Sequence, residues 1–122
     1  MSLDKSPVRL EIPSQKILRE LLDYNPLTGV LRWKHRPRKY FTSEGSYKNW
    51  NSQFPGKQAF STKFRDGYLV GKLFRTIFAA HRIIWVWMTG RCPDHVDHEN
   101  HKRDDNRWGN LKSATAQSNS LN

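Results

Sequence analysis

Apolar positions along the chain change period several times, and each change marks an element. Ile17, Leu18, Leu21 and Leu22 recur at helical spacing behind Pro13 and Ser14, which are start signals, and predict a first helix over Ile12 to Tyr24. It should stop at Asn25, because a residue preceding proline avoids helical geometry. Pro26-Leu27-Thr28-Gly29 has turn chemistry, and Val30 to Lys34 alternates as a short strand does. Ser43 to Gly56 is rich in Ser, Asn, Gly and Lys, with Tyr47, Trp50 and Phe54 interspersed; it is expected to be an irregular loop with aromatic anchors. Lys57 to Phe78 alternates weakly, and with Asp66-Gly67 and Gly71-Lys72 as turn candidates it predicts two or three antiparallel strands. Ala79 to Thr89 returns to helical spacing, with Ala80, Ile83, Ile84, Trp87 and Met88 on one face and Gly90 as the stop. Trp85 and Val86 widen that stripe, so this second helix should be mostly buried. The class implied is α+β, small antiparallel strands with helices.

Length and charge narrow the picture. A chain of 122 residues suits a single domain with one modest core. Lys and Arg number 21 against 11 Asp and Glu, a formal net charge of +10, which is the electrostatic footprint of a polyanion binder. The excess is uneven: residues 1–66 carry 13 basic and 6 acidic side chains, residues 67–122 carry 8 and 5. Between Arg32 and Lys39 five of eight positions are Lys or Arg, with His35 among them and Trp33 and Tyr40 close by. Paired cations displace condensed counterions and aromatic rings lie against sugars or exposed bases, so the front part is expected to grip nucleic acid. A solvated basic loop is the plain alternative. The longest strongly apolar run, Ile83 to Met88, is far below the ~20 residues that span a bilayer. No apolar run near Asp4 and Lys5 resembles a signal peptide, so a cytoplasmic location without a membrane partner is expected. A lone cysteine, Cys92, rules out an internal disulfide or a multi-cysteine structural zinc site.

The last third holds Val96-Asp97-His98-Glu99-Asn100, then Asp105-Asn106-Arg107-Trp108-Gly109-Asn110-Leu111, then Ala114-Thr115 and Asn119. That order resembles the HNH endonuclease family in its phage and homing-type branch. The likeness extends to Tyr24-Asn25-Pro26-Leu27-Thr28-Gly29-Val30-Leu31-Arg32-Trp33, to Gly67-Tyr68, and to Ala80-His81-Arg82 with Thr89-Gly90, so residues 23–119 are collinear with the branch. The resemblance implies a ββα-metal fold. Val96 to His98 would end one strand, Leu111 to Ala114 would form the next, and Thr115 would cap a helix carrying Asn119. It also implies a DNA endonuclease working in a bacterial or phage-infected cell, as a monomer or weak dimer on double-stranded DNA. The chain would divide into a basic DNA-gripping part, 1–66, and a helix-braced nuclease core, 67–122.

Phosphodiester hydrolysis needs a water nucleophile, a proton acceptor, and positive charge near the developing phosphorane and the departing oxygen. His98 is the expected general base, since an unperturbed imidazole is mostly neutral at pH 7. Its other ring nitrogen must be held, and by match to the family's central Asn, Asn110 is expected to brace the loop and that ring. Asp97 and Asn119 are the expected oxygen ligands of one divalent ion, Mg²⁺ or Mn²⁺. Arg32, Lys34, Arg36, Arg38, Lys39, Arg82 and Arg107 are the expected DNA contacts, although Arg107 could instead pair with Asp104 or Asp105. His81 and Arg82 are expected to be structural or to touch the backbone. His95 and His101 are expected on the substrate side or in solvent, and Trp108 in the core. Neighbouring side chains on a strand take opposite faces, so Asp97 and His98 can share a site only where the strand ends or bulges. A second reading stays open: a DNA-binding regulator or packaging accessory that keeps the fold without cutting. A third is RNA binding through Arg32 to Tyr40.

Overall fold

A computed structural model describes residues 11–92 and 94–114. Helix α1, Gln15–Leu21, starts where Ser14 caps it, its Oγ accepting from the Ile17 amide. The helix is shorter than the apolar spacing predicts. Leu22–Asn25 is strand β1, running antiparallel to β2, Val30–Trp33, with Tyr24 opposite Leu31. Leu22 and Tyr24 alternate inward, and pairing across the Asn25 to Gly29 turn outweighs helical continuation, an override by a partner that local spacing cannot reveal.

The expected loop at Ser43 to Gly56 is also corrected. Glu44–Gln53 forms helix α2, capped by Ser43 Oγ on the Ser46 amide. Tyr47, Trp50 and Phe54 lie three and four residues apart, so they share one side of it. Tyr47 meets Phe41 and His35, while Trp50 meets Trp33 and Phe54. A single aromatic stripe on an otherwise polar segment suffices here. Strands β3, Gln58–Ala59, and β4, Thr62–Lys63, follow, then β5, Leu69–Leu73, and β6, Thr76–Ala79. One sheet has the order β1-β2-β3 and another β4-β5-β6, all antiparallel. Asp66-Gly67 is the β4–β5 turn, as expected. Gly71-Lys72 is not a turn but lies within β5, where a Cβ on Gly71 would sit 2.6 Å from the Phe60 ring. The β5–β6 reversal falls instead at Phe74 and Arg75, both left-handed, with φ of 51° and 67°.

Helix α3, Ala80–Thr89, ends at left-handed Gly90 and packs on α1. Gln15 and Arg19 both donate to the Trp87 carbonyl, and Trp87 Nε1 donates to the Leu22 carbonyl, tying the two helices and β1 together. Leu18 and Leu21 of α1, Leu22 and Tyr24 of β1, Leu31, Leu73, and Ile83 and Ile84 of α3 form one buried cluster. Val96 and Leu111 join it from the last two strands, β7, His95–His98, and β8, Leu111–Ala114. These two pair antiparallel, with Asp97 opposite Lys112 and His98 opposite Leu111. The architecture is α+β. No helix among the described residues is long and apolar enough to cross a membrane.

Candidate active site

Strand β7 alternates exposed and buried, so Asp97 faces solvent and His98, 7% exposed, faces inward. The ladder is regular, without a bulge, and the strand ends at His98. A connection of twelve residues, 99–110, returns the chain to β8. Its side chains brace it. Asn110 accepts from the Asn100 amide through Oδ1 and donates through Nδ2 to the Asp105 carbonyl, each at 2.8 to 2.9 Å. Arg107 grips the Asp105 carboxylate with Nε and Nη2, and Asn100 Nδ2 donates to it as well. The Arg107 guanidinium, helped by Asn100, holds the Asp105 carboxyl well below the usual carboxylate range.

Asn110 therefore braces the loop, but a different residue holds the ring. Asn106, 3% exposed, sets its Oδ1 2.8 Å from His98 Nε2. An amide oxygen only accepts, so Nε2 is the donor of this bond, and in the neutral ring Nδ1 is then the nitrogen with the free lone pair. The Tyr24 hydroxyl donates to the Asn106 carbonyl at 2.6 Å. Burial, and then the nearby Asp105 charge, raise the Tyr24 hydroxyl well above its ordinary value, so it stays a neutral donor.

His81, at the start of α3, is closer to this centre than a purely bracing role requires. Its ring stacks on Tyr68 at 4.9 Å and meets the His98 ring edge-on at 5.0 Å. Nδ1 is buried without a hydrogen-bond partner among the described residues, and burial, then the neighbouring His98 and Arg82, push the imidazole down to about 4. Its helical neighbour Arg82 donates to the Asp94 carbonyl. Spacing alone could suggest neither Asn106 nor His81 as a ring partner of His98. The only sequence signal is that both occur in the stretches that resemble the family.

The expected metal ligands are only partly in view. The Asp97 carboxylate is exposed, and among the described residues nothing bonds to it, which suits an oxygen ligand of a hydrated divalent ion. Asn119 and the helix that Thr115 would cap lie outside the described residues. Among the described residues, no three His, Cys, Asp or Glu side chains are gathered to hold a metal ion.

Most of the seven expected DNA contacts have intramolecular partners. Arg32 donates to the Gly56 carbonyl and Lys34 to the Arg19 carbonyl. Arg38 pairs with Glu44 at 3.1 Å, Lys39 with Glu20 at 3.3 Å and Arg107 with Asp105 at 2.6 Å. Arg36 is stacked between Trp33 and Trp50, its guanidinium 5.2 and 4.1 Å from the ring centroids, and its Nε is buried. The exposed Arg38–Glu44 and Lys39–Glu20 pairs contribute only ~0–1 kcal/mol and can exchange for phosphate, whereas the two-point Arg107–Asp105 pair belongs to the loop brace and the Arg36 stack to the packing. His95 and His101 are exposed, and Trp108 is half-buried against Trp85.

Residues 78–121 match the model of a family described as HNH endonuclease. The chain is also similar in fold to a solved structure concerning DNA binding and cleavage by the HNH homing endonuclease I-HmuI. The TM-score is 0.54 at 19% sequence identity, over 92% of this chain and 56% of that one. The chain thus spans little more than half the length of that structure. A comparison with curated proteins found no match.

Proposed function

We propose that this chain, which through residues 78–121 belongs to the HNH endonuclease family, hydrolyses phosphodiester bonds of double-stranded DNA with His98 as general base. The observation that carries the reading is the Asn106 to His98 hydrogen bond. With Nε2 engaged, Nδ1 is the basic atom, and it takes the proton of the attacking water. Asn110 and Arg107 keep the loop in one shape, so the ring spends little time in unproductive orientations.

The Asp97 carboxylate and the Asn119 amide would hold one Mg²⁺ or Mn²⁺, which supplies positive charge for the developing phosphorane and the departing 3′ oxygen. The exposed cations Arg32, Arg38, Lys39 and Arg107, with the half-buried Lys34 and Arg82, contribute the field that draws DNA, and residues 1–66 supply the larger share of it.

Supercoiled plasmid incubated with the protein and Mg²⁺ or Mn²⁺ should become nicked or linear, and EDTA should prevent this. His98→Ala should abolish cleavage while keeping DNA affinity. Intact plasmid with both ions between pH 6 and 9, while the protein binds that DNA, would leave the non-cutting DNA-binding reading in its place.

A further inference from the structure

The Tyr24 to Gly29 stretch has no task in the reaction above, yet the fold sets it against the loop that serves His98. Three contacts fall on three consecutive residues. Tyr24, 7% exposed, donates its hydroxyl to the Asn106 carbonyl at 2.6 Å across 82 positions of sequence. Gly29, at φ +79°, approaches so closely that a Cβ would lie 2.5 Å from both the Asn106 carbonyl carbon and the Arg107 nitrogen. The Pro26 carbonyl accepts from the Trp108 amide at 3.0 Å.

We propose that the β1–β2 hairpin is a positioning element for His98, with Tyr24 and the turn through Gly29 fixing the Asn106 backbone and hence the amide that holds the imidazole. The inference rests on the reading of His98 as general base. The loop's own side chains fasten Asn100, Asp105, Arg107 and Asn110 to one another. The contacts on the Asn106 carbonyl and on the Trp108 amide come instead from the hairpin. A peptide plane that shifts carries its side chain with it, and at Asn106 that side chain sets which nitrogen of His98 bears the proton. Tyr24 is therefore a positioning residue, two hydrogen bonds from the reacting centre. Gly29 is required because the turn must be left-handed and must leave no room for a side chain.

Tyr24→Phe keeps the ring in the core, including its edge contact with Trp87, and removes only the hydroxyl. Single-turnover cleavage at saturating protein should slow about ten-fold, while DNA affinity, measured in EDTA, stays at the wild-type value. Asn106→Ala should slow it about a hundred-fold, the scale expected when a catalytic group is misplaced by ~1 Å. Imidazole ¹⁵N spectra give a readout independent of cleavage. His98 should be the Nε2–H tautomer in wild type and a mixture of tautomers in Tyr24→Phe and Asn106→Ala. Wild-type cleavage rate and an unchanged tautomer in Tyr24→Phe would overturn the role of the hairpin. Cleavage surviving in His98→Ala would overturn the base assignment instead, so the two failures are distinguishable. Should Tyr24→Phe not fold, Gly29→Ala presses on the same peptide from the turn and is read by the same two measurements.

Discussion

Acid should weaken this protein through one buried ring. His81 is 8% exposed, packed between Tyr68 and His98, with Nδ1 unpartnered among the described residues, and its imidazole is pushed down to about 4. Burial is the largest cause; His98 and Arg82 act in the same direction, and Asp66 opposes them. In the unfolded chain the ring titrates near ~6.5. Above that value neither state is protonated there and stability does not depend on His81. As pH falls below ~6.5 the unfolded chain binds a proton that the native ring refuses, so stability declines until the native ring also titrates, near 4. The gap between the two values corresponds to about 3 kcal/mol at ~1.4 kcal/mol per pH unit, a large share of the ~5–15 kcal/mol typical of a domain. Urea unfolding of wild type and His81→Phe at several pH values from 7 to 4 isolates the contribution, because every other group is common to both. The wild-type curve should fall more steeply, by up to one proton's worth of slope. Parallel curves would refute the argument, since they would mean that native His81 accepts a proton as readily as an unfolded histidine.

Further outcomes follow from the packing. Gly29→Ala and Gly56→Ala both force a left-handed alanine, about 1–2 kcal/mol, but only Gly29 faces backbone at 2.5 Å; overpacking should add about 1–3 kcal/mol there, read as a lower urea midpoint than for Gly56→Ala. Trp50→Ala removes the ring shared by Trp33, Phe54 and Arg36; being half-buried, it should destabilise by about 2 kcal/mol and lower helical ellipticity as α2 loses its anchor. A fragment of residues 67–122 would keep Leu73, Ile83, Ile84, Val96 and Leu111 but lose Leu18, Leu21, Leu22, Tyr24 and Leu31 from their common cluster, so its amide spectrum should lack native dispersion.

The legible parts of the fold were those in which local pattern and tertiary partner agree. Ser14, Gly90 and the Asp66-Gly67 turn act where their chemistry says, and α3 buries the stripe that its spacing marks. The misread parts depend on a partner distant in sequence. Leu22 and Tyr24 leave the helix because Trp33 and Leu31 wait across the turn. Gly71 looks like a turn residue until Phe60 is seen to occupy the space of a side chain. At the site the same division holds. The strand pair in which β7 carries both Asp97 and His98, and the loop brace at Asn110, follow from the motif, whereas the ring partner is Asn106, because only the folded loop brings an amide oxygen to Nε2.

The front of the chain, proposed above as a grip on DNA, also has a structural part to play. A two-stranded hairpin is marginal in isolation, and β7 and β8 are four residues each, joined by a loop far longer than they are. Such a unit cannot hold an imidazole in one orientation unaided. The surroundings of His98 are accordingly drawn from separate stretches: Tyr68 before β5, His81 on α3, Asn106 in the loop, and Tyr24 behind Asn106. The Arg32 to Lys39 stretch shows the same economy, since Arg36 stacks on Trp33 and Trp50 and thereby fixes α2 against β2. Charge held on packed elements meets phosphate with less side-chain entropy to lose than charge on a free tail. The strands that carry Arg32 and His98 thus share one core, through Leu31 and Val96, so if the proposed roles of these residues hold, a change that loosens the DNA-drawing stretch should also be felt at the base.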